Sequence, residues 1–150
     1  MGVEEPGACA RIGVEAGLVA AVLSGGPSTI HGLLTGKPFE PTLAAGSMLL
    51  PRERRPAVLA LAAVPVHLTL SLGWGLALAC LLPRRRTVLW GVAAGAGIAA
   101  LDLGGFGRFF PRVAALPMAP QVADHLAFGA VAAAVIRRRR EAEPLLRHQP

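Results

Sequence analysis

Between Arg55 and Arg84 the sequence carries no Lys, Arg, Asp or Glu, and 57–82 reads as one predominantly apolar run. A helix needs about 20 such residues to cross a hydrocarbon layer about 30 Å thick, so this run can span a membrane with some tilt. The rest of the chain agrees. Hydrophobic residues make up 53% of the 150 positions and charged residues 16%, while aromatics are only 5%. Ala, Leu, Val and Gly carry the apolar content, which is the balance of a chain whose main solvent is lipid.

Three further stretches have the same character. Span one covers 12–34 and places Gly13, Gly17, Ala21 and Gly25 at four-residue spacing, a small-residue groove for a close neighbouring helix. Pro27 is expected to kink this helix or end its first part. Residues 1–11 read as a disordered cytoplasmic tail. After span one, Gly36-Lys37-Pro38 signals a turn, and Pro41 and Pro51 bracket 42–50. A helix of that length reaches only about 13 Å, so it is read as interfacial or re-entrant, closed by Arg52, Arg54 and Arg55; an ordinary surface helix fits equally well. Span two, 57–82, is expected to bend at Pro65. Span three, 87–106, holds Gly91, Gly95 and Gly97 and is expected in the middle of the bundle. A proline-rich interfacial loop follows, with Pro111, Pro117 and Pro120. Span four, 120–136, ends at Arg137 to Arg140 and leaves 137–150 as a basic tail. The predicted fold is an all-α polytopic bundle of four transmembrane helices, with one short helix between the first two.

The net charge of +6 comes almost entirely from arginine. Nucleic-acid binding would gather these arginines on one polar surface, whereas here they punctuate apolar runs, so no nucleic acid is expected. Arginines at span ends meet phosphate headgroups, and Arg84–Arg86 and Arg137–Arg140 are assigned that role against anionic lipid. Four spans put both termini on one side. That side collects Arg11, Arg84 to Arg86, Arg137 to Arg140 and Arg147, nine basic residues against six on the other (Lys37, Arg52, Arg54, Arg55, Arg108 and Arg112). The excess assigns both termini to the cytoplasm. A cleaved signal is the alternative, since 12–23 has signal length and ends in Ser24-Gly25-Gly26, but Glu4, Glu5 and Glu15 suit a retained span better. Cys9 and Cys80 are too few and too far apart for a metal cluster or a disulfide framework, and read as free thiols.

Polar residues inside spans carry whatever chemistry there is. Glu15 reads as a boundary residue. His31, His67, Asp102, Asp124 and His125 all fall in the outer half of the bundle by depth. Three readings compete for them: hydrogen bonds that lock helices in register, a proton or ion pathway, and a metal site of imidazole and carboxylate ligands. No His-x-x-x-His or Glu-x-x-His pair lies on one helix, and Asp124 and His125, being adjacent, face about 100° apart. Asp124 near a positive helix N-terminus favours its charged form. Gly25, Gly26, Pro27 and Ser28 form a helix break that could expose backbone groups to an ion, or simply a kink that lets span two approach. Trp74, between Gly73 and Gly75, reads as packing, and Trp90 as an interfacial anchor. No catalytic triad, phosphate loop or nucleotide fingerprint can be assembled, so neither enzyme activity nor a cofactor is expected.

The segments SGGPST (24–29), SLGWG (71–75), IAALDLG (98–104) and LPMAPQVADHLAFG (116–129) resemble small multi-span membrane proteins of high-GC actinobacteria over about residues 13–140. That resemblance implies fold and a bacterial plasma-membrane location, and supplies no functional residue. The expected role is a non-catalytic structural protein that associates with itself or with a larger membrane complex. A small transporter or proton pathway is the alternative, and an intramembrane metal site the second.

Overall fold

The first apolar stretch folds as two helices in line, interrupted in the middle. In the computed structural model, which describes residues 6–146, α1 (Pro6–Leu23) stops at a turn of Ser24 and Gly25, and α2 (Gly26–Thr35) resumes beyond it. Then come α3 (Glu40–Leu49), α4 (Pro56–Leu81) and α5 (Thr87–Ala99). α5 widens into a π-helical segment, Ala100–Phe106, and tightens into a 3-10 turn, Gly107–Phe109. A single turn, α6 (Pro111–Ala114), leads to the long α7 (Met118–Leu146). The chain is all-α among the described residues, with four stretches long and apolar enough to cross a membrane: Gly7–Thr35, Pro56–Leu81, Thr87–Phe109 and Met118–Ala142.

Two boundaries differ from the sequence reading. The expected tail over 1–11 is helical from Pro6, with Cys9 only 7% exposed, because the first turns of α1 pack on the end of α4. Residues 1–5 lie outside the described residues. At the other end α7 continues past Ile136 to Leu146. Its charged turns are held from the side: Arg139 Nε donates to Glu15 Oε1 at 2.9 Å, and Arg137 pairs one turn on with Glu141 at 3.8 Å. Arg147 and the last residues, 147–150, lie outside the described ones.

The principal packing runs in the order α4, α1, α7, α5, each antiparallel to the next, with slighter contacts of α4 to α7 and α5 and with α3 laid against α4. α5 is therefore at the edge and α1 and α7 are central, which reverses the placement expected from the glycines of 87–106. Glycine marks close approach, and a helix at the rim can approach one neighbour as closely as a helix in the middle. A Cβ at Gly91 or Gly95 would strike the backbone of α7 at Gly129 and His125, whereas one at Gly97 meets nothing within 4 Å. The seam between α1 and α4 works the same way. A Cβ at Gly13 would lie 2.7 Å from Leu76 Cα, one at Gly17 would lie 2.5 Å from the Ser71 carbonyl, and one at Gly75 would strike the Gly13 carbonyl. Without a side chain on either helix, backbones touch, and dispersion gives the contact its strength in a solvent that supplies no hydrophobic drive between helices.

The same seam overturns the expectation of free thiols. Cys9 and Cys80 are 71 residues apart, but antiparallel packing of α1 on α4 brings their Cα atoms to 6.0 Å and they form a disulfide. Spacing along the chain says little about distance across it.

Between α3 and α4, Glu53 organises the turn. Its carboxylate accepts from the Arg55 guanidinium at 2.8 Å and from the backbone N–H groups of Arg55 and Arg54 at 2.9 and 2.8 Å. These donors, the Arg55 side chain foremost, lower its pKa from 4.5 to about 2. The turn is thus fully held above pH 4.5 and released as pH falls through about 2.

Gly75→Leu should cost about 1–3 kcal/mol of bundle stability by forcing α1 and α4 apart, while Gly97→Leu should leave it unchanged. Denaturant titration of both variants in lipid-like micelles measures this. Equal losses would mean that the α1–α4 seam does not govern packing.

Candidate functional site

A helix interrupted inside an apolar span leaves carbonyls at the end of its first half and amides at the start of its second, with no water to satisfy them. The groups around Ser24 and Gly25 find partners in two ways. Locally, the Gly25 carbonyl accepts from Thr29 N–H at 3.1 Å, from Thr29 Oγ1 at 2.6 Å and from Ser28 Oγ at 3.4 Å. Pro27 sits in the first turn of α2, where a missing N–H leaves nothing unpaired. From other helices come two of the ionisable residues. His67 of α4 donates from Nε2 to the Ala21 carbonyl at 3.0 Å, near the end of α1. Asp124 of α7 accepts through Oδ1 from the Ser28 N–H at 3.0 Å, capping α2, which has no cap from its own chain segment. The negative carboxylate meets the positive end of the α2 dipole.

Gly25 and Gly26 themselves meet nothing within 4 Å of an added Cβ, so the break does not serve the approach of span two. That approach is made by Gly13 and Gly17, lower on α1. The two glycines permit the turn, and Ser28 and Thr29 repair it.

The second group joins three helices. Asp102, in the π-helical segment, accepts at Oδ2 from the indole N–H of Trp74 on α4 at 3.0 Å. The same oxygen lies 3.5 Å from Nε2 of His125 on α7. His125 donates from Nδ1 to the Gln121 carbonyl one turn earlier, at 2.7 Å. Both ionisable side chains are largely enclosed, at 21% exposure for His125 and 16% for Asp102. Sequence reasoning treated Trp74 as packing alone. A signal was present, because a buried indole N–H seeks an acceptor and Asp102 is an acceptor without a hydration shell.

The structure thus divides the five residues expected as one outer-half cluster. Asp102 and His125 come together, Asp124 and His67 serve the two ends of the helix break, and His31 stands half-buried on α2 with no ring hydrogen bond among the described residues. Among the described residues no three His, Cys, Asp or Glu side chains assemble as a group able to hold a metal ion.

One further ionisable residue acts as a cap. Arg140, expected at the headgroups with its neighbours, is 8% exposed and turns inward, donating to the carbonyls of Leu82 at 2.9 Å and Ala79 at 2.7 Å at the end of α4. Arg84 to Arg86, Arg137 and Arg138 remain exposed. No family model, curated protein or solved structure matches the chain.

Asp124→Ala should destabilise the bundle by about 1–2 kcal/mol through loss of the cap on α2, and Asp124→Asn, which keeps an acceptor, by less. Thermal denaturation in micelles gives the comparison; an Ala variant as stable as the parent would remove Asp124 from that role.

Proposed function

We propose that this chain is a non-catalytic structural protein of a bacterial plasma membrane, one whose ionisable residues hold a broken helix and its neighbours in register, and which associates with a second copy or a larger membrane complex. The observation that supports this most is the partnering of polar groups across helices. His67 of α4 and Asp124 and Arg140 of α7 each answer a backbone group at a helix end in a span other than their own. Residues placed for conduction would instead face one another along a path. The resemblance to small actinobacterial membrane proteins fits the same location.

A proton pathway is the second reading, favoured by the single Asp102–His125 contact. Reconstitution into vesicles with an imposed pH gradient separates the two. A structural protein adds no proton flux above empty vesicles, and Asp102→Asn lowers its thermal stability. Flux that Asp102→Asn abolishes while stability is unchanged would replace the structural reading by the pathway.

For orientation, we propose both termini in the cytoplasm, on the side of the basic excess. Exposed arginines at Arg84 to Arg86 and Arg137 to Arg138 then meet the anionic headgroups of the inner leaflet. The Cys9–Cys80 bond lies at this same end, where cytoplasmic reductants keep thiols open. It is therefore expected to be reduced in growing cells and to close on oxidation. After reduction, a membrane-impermeant maleimide should modify Cys80, the exposed member of the pair, in inverted vesicles and not in intact cells; the opposite pattern would invert the topology.

A further inference from the structure

We propose that Asp102 and His125 form a proton-binding couple inside the bundle, holding one exchangeable proton between Asp102 Oδ2 and His125 Nε2. The opposite ring nitrogen decides this. His125 Nδ1 lies 2.7 Å from the Gln121 carbonyl, which can only accept, so Nδ1 carries a hydrogen. In a neutral imidazole the other nitrogen then presents a lone pair, and it presents it to Asp102 Oδ2 at 3.5 Å. An ionised carboxylate is also acceptor-only. Without a further proton, two lone pairs would face each other and the couple would carry a net negative charge in surroundings that solvate charge poorly.

One proton removes both problems. On Nε2 it makes an imidazolium beside a carboxylate; on Oδ2 it makes a carboxylic acid that donates to an imidazole. Both forms are neutral as a unit, and transfer of the proton from one atom to the other breaks one bond to hydrogen and forms another without moving charge out of the couple. The site is also built to keep its geometry. Trp74 holds Oδ2 from α4, and the Gln121 carbonyl holds the ring from behind. Asp102 lies in a π-helical segment, where Gly107 N–H returns to the Asp102 carbonyl; such wide turns recur at functional sites.

The charges that bear on His125 are those of Asp102 and Asp124. Asp124 is occupied by Ser28 N–H of α2, α4 contributes the neutral indole of Trp74, α5 carries no ionisable side chain, and the ionisable residues of α1, Arg11 and Glu15, lie toward the opposite end. In the adjoining 3-10 turn, Arg108 is drawn over the Phe109 ring at 4.8 Å. The couple binds its proton whether or not the bundle conducts anything, so the inference goes beyond the structural reading and does not stand or fall with it.

Magnetic resonance of the full chain in lipid vesicles, with nitrogen-labelled histidine and carboxyl-labelled aspartate, tests it. The His125 signals are those that disappear in His125→Gln. The expected spectrum shows Nδ1 as N–H at every pH. It shows either Nε2 as N–H or the Asp102 carboxyl as protonated in the loaded state, and one proton leaving on alkalinisation in a single event seen at both residues. Trp74→Phe should retain that event with a shifted midpoint. Asp102→Asn, whose amide can itself donate to Nε2, should lose it and leave Nε2 as a bare acceptor. Cooperative thermal unfolding followed by circular dichroism checks that each variant is folded, and if Asp102→Asn fails this check the parent and Trp74→Phe spectra still decide. An ionised Asp102 beside a lone-pair Nε2 across the whole folded pH range, or an Nδ1 without its hydrogen, would overturn the proposal.

Discussion

Backbone amides and carbonyls at the interior ends of helices need partners, and a span that lies in hydrocarbon has no water to provide them. Much of this structure answers that one constraint. The first span breaks at Ser24 and Gly25, and the exposed groups are met by Ser28 and Thr29 from within, by His67 from α4 and by Asp124 from α7. At the far end of the bundle Arg140 does the same for the carbonyls that close α4. His67, Asp124 and Arg140 each cross from one span to another. Satisfying the backbone therefore also fixes which helices are neighbours and how far one slides along the next.

Close packing and polar capping divide the work by depth. Near the basic end and through the middle, α1 meets α4 and α5 meets α7 through glycines whose backbones touch, and the Cys9–Cys80 bond ties the first of these pairs. Toward the opposite end hydrogen bonds at the helix break and around Asp102 join the glycine contact, which continues where Gly46 of α3 meets the Leu59 carbonyl of α4. A carboxylate bonded to one particular N–H adds a directional constraint to this close packing.

Four spans, their approximate ends and the helix break could be read directly from the residues, because length, apolar content and proline position act locally. The pairing of Gly13 and Gly17 with a neighbour was legible in the same way, though not which neighbour. Partnerships were less visible. Cys9 and Cys80 appeared unrelated since their meeting depends on α1 lying antiparallel to α4, and Trp74 looked like filler because its acceptor comes from a different span. The helical continuation of α7 past Ile136 was hidden for a related reason: Arg139 and Arg140 look like headgroup anchors until Glu15 and the end of α4 are placed beside them.

By itself, then, the sequence determined that this chain is an all-α protein with four helices able to cross a membrane, and that its polar residues within them would need company. Both follow from free energies counted residue by residue, the transfer of apolar side chains and the desolvation of polar ones. Only the tertiary structure decided who keeps company with whom. It split five ionisable residues between capping a broken helix and forming the Asp102–His125 contact, and it set α5 at the rim, because those outcomes depend on the order and register of spans, to which a hydropathy pattern is blind.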